Sequence, residues 1–279
     1  MIYVFTEILI LLIIALLIFE LIFDIINCVG NEKWFCKLLA KSAYKKCNEA
    51  YKTAPRLFKE LVENAPNDGN IEVSYGAFGC SKCRKNGENI EIEVFGEDIL
   101  SIFTFDFTSP QQIMGGVLFH ELGHAIDFTY GYHSVSGSIF KRALDFDEKT
   151  IRAHNMGLKL NGNFGSTPME RLFFLIRNFD RIIKENDYVQ DILDIVSHGK
   201  IPVICHHDEK YYQERPDGRE KEIFANLMAL YASHDYESLR RLVKVYGVYH
   251  LVDRFVSWIN EMSREYGIKE DEKLNAILH

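Results

Sequence analysis

The chain has no excess of basic residues: 32 Lys and Arg stand against 40 Asp and Glu, a formal net charge of −8. A surface built for nucleic acid needs a basic excess to release counterions from phosphate, so the balance argues against such a partner. Cysteine is scarce as well. Cys28, Cys36, Cys47, Cys80, Cys83 and Cys205 are scattered over 279 positions, too few for a disulfide-built scaffold. Cys80 and Cys83 form one C-x-x-C with no second pair downstream, so no complete zinc ribbon is present in sequence order. A redox pair, half of a metal knuckle and a plain turn with two thiols stay open as readings. There is no repeat with a period of tens of residues and no low-complexity tract.

Also missing is any Lys or Arg ahead of the apolar run at residues 2–23, and no small-residue cleavage site follows it. A secretory signal peptide would need both features. The run itself is long enough to cross a hydrocarbon layer of about 30 Å as a helix. Lys33, Lys37, Lys41, Lys45 and Lys46 follow it closely, and the positive-inside rule then puts the rest of the chain in the cytoplasm. The expectation is a single-pass membrane protein anchored over residues 1–27.

With 47% hydrophobic and 26% charged residues, the remainder can bury one sizeable core. Residues 31–64 read as two helices or one kinked at Pro55, within a linker spanning 28–65. A turn cluster at 66–70 marks the start of a domain running over 66–279. Alternating stretches at 71–78 and 89–95 predict strands, and 99–107 predicts a third, covered one. Helices are expected at 139–160, 169–185 and 188–198.

Between strands and helices lies His120-Glu121-Leu122-Gly123-His124, a single H-E-x-x-H. Ser109 and Pro110 give a cap and a first helical residue ahead of it. On a helix, residues four apart share a face, so His120 and His124 can present imidazole nitrogens to one zinc ion. Glu121 lies beside them as a general base rather than a ligand. Asp127, three residues after His124, is placed to orient a ligand imidazole.

A catalytic zinc needs a third protein ligand. The extended H-E-x-x-H-x-x-G-x-x-H pattern would require glycine where Asp127 stands and histidine where Tyr130 stands, so a distant glutamate is expected. In residues 219–231, Ile223, Leu227 and Leu230 form an apolar helix face, and Glu222 sits at its first turn beside that face. Glu222 is the candidate; Glu220 belongs to the exposed entry.

These two segments, His120-Glu121-Leu122-Gly123-His124-Ala125-Ile126-Asp127 and Glu222-Ile223-Phe224-Ala225, resemble the gluzincin metallopeptidases related to the catalytic domain of anthrax lethal factor. They are also similar to metallopeptidase-like domains of bacterial toxins and phage head proteins. The resemblance implies Glu222 as the third zinc ligand and an upstream tyrosine that donates to the oxyanion. Tyr212, ahead of its neighbour Tyr211, takes that role, with His207 supporting the site or facing substrate. Relatives often carry a second acidic residue four after the ligand; here the residue is Asn226.

The expected fold is α+β: a zincin-like domain with a small, mostly antiparallel sheet and a helical second half, preceded by a transmembrane helix. The expected function is that of a membrane-anchored zinc endopeptidase, one Zn2+ per chain, acting on a peptide or protein substrate. The alternatives are a catalytically silent, membrane-tethered binding module and a toxin- or phage-type factor that cleaves one dedicated partner.

Overall fold

Proline at position 55 splits the lysine-rich segment into α1 (Lys33–Thr53) and α2 (Arg56–Glu63), because its ring cannot continue the first helix but can open the second. The computed structural model describes residues 33–64, 71–76, 81–86, 89–95, 110–131, 134–135, 139–154, 185–198 and 217–279. Ala43, Cys47, Ala54, Leu57, Phe58 and Leu61 of the first two helices and their junction are all buried in the common core.

Three strands follow: β1 (Ile71–Gly76), β2 (Lys82–Asn86) and β3 (Asn89–Phe95). In β3, Ile90, Ile92 and Val94 face the core while Glu91 and Glu93 face away, as the two-residue period of a strand demands. β3 is the middle strand, parallel to β1 and antiparallel to β2. The register sets Lys82 opposite Glu93 and Arg84 opposite Glu91, and Lys82 forms an ion pair with Glu93.

The rest is helical: α3 (Pro110–Thr129), α4 (Ile139–His154), α5 (Asp187–Ser197), α6 (Gly218–Ala232), α7 (Tyr236–Lys244), α8 (Tyr249–Glu265) and the short α9 (Glu272–Asn275). The centre of the molecule is the pair α3 and α6. α1, α2, β2 and β3 pack on α3, and α4, α5, α7 and α8 pack on α6. From Glu222 to Ala232 every residue of α6 is buried, and a helix enclosed on all sides has no need of a polar face. Gly123 permits the close crossing: a Cβ there would lie 2.9 Å from Ala225 Cα and 3.0 Å from Met228 Cβ. α8 lacks a cap from its own chain segment. The fully buried Asp147 of α4 supplies one, accepting from the backbone N–H of His250 at 3.0 Å and of Leu251 at 2.8 Å.

The expected fold class is corrected in two respects. The architecture is mainly helical, with nine helices beside one three-stranded sheet among the described residues, rather than the expected α+β arrangement. The sheet is mixed, not mostly antiparallel: alternation marks which residues form strands but carries no information on which strand pairs with which, and β1 and β3 pair in parallel. The segment expected to form a transmembrane helix is not among the described residues, and among those that are, no helix is long and apolar enough to cross a membrane. Residues 1–27, assigned to the anchor, and 99–107, assigned to a third strand, lie outside those residues.

Candidate metal centre

α3 is apolar on nearly every side because both of its flanks are covered, with Leu118, Phe119, Leu122, Ala125 and Ile126 buried. His120 and His124 interrupt that pattern on one face, one turn apart, with their rings edge to face at 4.7 Å. α6 brings Glu222 to the same place. His120 Nε2 lies 3.3 Å and His124 Nε2 3.5 Å from Glu222 Oε2, and the two Nε2 atoms are 3.2 Å apart. The three donors thus form a nearly equilateral triangle. Three ligands at about 2.05 Å from a tetrahedral zinc ion stand roughly 3.3 Å from one another, so both the edges and the His2Glu chemistry of this triangle suit zinc. Among the described residues, this is the group of His, Cys, Asp and Glu side chains whose donor atoms converge closely enough to hold a metal ion.

The electrostatics of the triangle are those of a close cation–anion cluster. Burial would pull the His120 imidazolium down, but the hydrogen bond and charge of Glu222, with Glu121 and Asp191 further out, lift it to about 9. Burial would raise the Glu222 carboxyl, and His120 and His124 overcome this and hold it well below the usual carboxylate range. A metal ion entering the triangle must therefore displace a proton.

Glu121 is buried beside the histidines, toward the sheet. Its charge reaches the thiol of Cys83 on β2, which burial first and Glu121 second push above the usual thiol range. Asp127 is not turned to a ligand histidine by any bond seen here: its two oxygens accept from Ser134 N at 2.9 Å and from Ser134 Oγ at 2.6 Å, closing the turn after α3. Burial raises its carboxyl, and the Ser134 bonds offset part of that rise. Tyr211, Tyr212, His207 and Cys80 lie outside the described residues.

Three neighbours were not assigned a part in the site from the sequence, although Asn226 was noted for its place four after Glu222. Asn226, one turn after Glu222 on α6, has its Oδ1 2.9 Å from His120 Nδ1; the four-residue spacing from Glu222 was the available signal. Tyr188 of α5 stacks near-parallel to the His120 ring at 6.3 Å, and it fits because position 116, one turn before His120, is glycine: a Cβ there would lie 2.2 Å from the Tyr188 hydroxyl. Phe128 takes the corresponding place beside His124 at 6.4 Å. Comparison with protein-family models, with curated proteins and with solved structures gave no match for this chain.

Proposed function

We propose that this chain is a zinc-dependent peptidase, with His120, His124 and Glu222 holding the metal and Glu121 acting as general base. The observation that carries the reading is the triangle of donors at 3.2, 3.3 and 3.5 Å with a buried carboxylate on the residue next to His120. The resemblance of the two segments themselves to the lethal-factor-like gluzincins supports it as well. Zinc, when bound, supplies a Lewis acid that polarises the scissile carbonyl and makes water a competent nucleophile near neutral pH. The remaining work belongs to the chain. Glu121 takes the proton of the attacking water on its carboxylate and delivers it to the departing amine, so one group serves as base and then as acid. Tyr188 and Phe128, both partly exposed, place apolar rings beside the two histidines where substrate enters. Tyr212 is proposed as the donor to the oxyanion on the strength of the resemblance.

The test uses the full-length chain, zinc analysis and a mixed-sequence peptide library read by mass spectrometry. Parent protein should carry about one zinc per chain and cleave peptides. Glu121→Gln should keep the zinc and lose turnover by about 10²–10⁴-fold, the usual contribution of a positioned base. Tyr212→Phe in the same assay should lower turnover with zinc retained. Cleavage at the parental rate by the Glu121→Gln protein would overturn the assignment, and a zinc-loaded parent that cuts nothing would favour a binding module.

A further inference from the structure

We propose that Asp191 is a positioning residue for the metal centre: by fixing the carboxamide of Asn226, it decides which nitrogen of His120 carries the proton and which is offered to the metal. The inference rests on reading His120 as a ligand. It concerns a carboxylate that lies on neither motif, contributed by α5.

The argument follows from donors and acceptors alone. Asn226 donates from Nδ2 to Asp191 Oδ2, and its Oδ1 stands 2.9 Å from His120 Nδ1. An ionised carboxylate only accepts, so the amide must turn its NH2 group to Asp191 and its carbonyl to His120. A carbonyl also only accepts. The proton of neutral His120 therefore sits on Nδ1, and the lone pair on Nε2 points into the triangle with His124 and Glu222. Without Asp191 the amide of Asn226 has no reason to prefer this orientation, and a flipped amide would ask for the other tautomer, with its hydrogen where the metal belongs. Asn226 and Asp191 are both buried, which keeps bulk water from substituting for either group.

Three helices meet in this line: α3 contributes His120, α6 Asn226 and α5 Asp191. α5 is held in place at both ends. Its cap, Asn186, accepts from Val189 N and donates to Asp235 and Ser238 near the start of α7, and His198 closes the helix in a left-handed conformation. Asp191 thus reaches Asn226 from a fixed support.

The experiment measures zinc affinity of the full-length chain by competition with a chromogenic chelator, alongside the visible spectrum of the Co2+-substituted protein. Asp191→Asn keeps shape but lets residue 191 offer either a donor or an acceptor. It should weaken zinc by about 10–100-fold, the usual effect of losing an outer partner of a ligand histidine, and alter the cobalt spectrum. The exchanged pair, Asp191→Asn with Asn226→Asp, reverses the donor direction between 191 and 226 while still presenting an acceptor to Nδ1, and it should recover most of the affinity. Asn226→Leu removes the acceptor altogether and should fall as far as Asp191→Asn, which keeps the test open if that variant does not fold. Parental affinity and spectrum in folded Asp191→Asn or Asn226→Leu would overturn the inference and leave the metal site standing. A loss in Asp191→Asn that the exchanged pair does not repair would show a purely structural role and overturn it too. A parent that takes up no zinc would sink the metal site itself, and this inference with it.

Discussion

At the scale of single residues, the chemistry turns on the His120 and Glu222 pair. His120 titrates above its ordinary 6.5, so in chelator-treated protein its share of stability is complete below 6.5 and is lost as pH rises through about 9. Glu222 titrates below its ordinary 4.5, so its share is present above 4.5 and is lost on acidification. The melting temperature of metal-free parent, less that of metal-free His120→Ala, should be largest between pH 4.5 and 6.5 and shrink toward pH 9. A difference that stays flat from pH 6.5 to 9 would contradict the pairing. The histidine pair was legible in the sequence because a spacing of four is a property of the helix alone. Glu222 was legible because the apolar pattern after it marks an inward-facing turn. The partners of Asn226 and Asp127 were not legible for one reason: which polar group a buried side chain reaches depends on another segment, here α5 for the one and Ser134 for the other.

At the scale of elements, the site is set by how closely α3 and α6 cross. With Ala225 Cα only 2.9 Å from the place a Cβ would occupy at position 123, Gly123→Ala must push the helices apart. Overpacking of that kind costs about 1–3 kcal/mol. The variant should unfold at lower urea and bind zinc more weakly than parent, whereas Gly131→Ala, with nothing within 4 Å of the added carbon, should affect stability through its positive φ and leave zinc affinity unchanged. Undiminished zinc affinity in folded Gly123→Ala would mean that helix spacing does not govern the triangle. Most elements announced themselves. Pro55 split the first helical stretch as read, Pro110 opens α3, and β3 occupies the predicted 89–95. β2 did not, because Lys82, Arg84, Lys85 and Asn86 leave no apolar alternation to find.

At the scale of the whole molecule, the proposed metal centre and the core are built from the same helix. α6 carries Glu222 and Asn226 and is also buried from Glu222 to Ala232, so zinc held as proposed would be linked to folding. Zinc at a free concentration about 1,000 times its Kd should add about 4 kcal/mol to the stability of parent, seen as a rise in melting temperature. Glu222→Ala should lose most of that rise; an equal rise in both proteins would place the bound zinc elsewhere. The overall architecture was the least legible level. Local periodicity describes each element, yet the parallel pairing of β1 with β3 and the packing of α1 and α2 into the common core are relations between distant segments.

The strand that sequence periodicity overlooked has a bearing on solubility. Among the described residues β2 ends the sheet, so its outer row of N–H and C=O groups has no strand beside it there. Such a row is a template on which a second chain can add itself and start an aggregate. Lys82, Arg84 and Lys85 lie along it, and a second copy running alongside would set like charges against one another at strand spacing. The residues that made β2 hard to recognise are therefore also ones that disfavour such addition along that row. That protection is ionic, and it weakens as added salt shortens the reach of charge to a few ångströms.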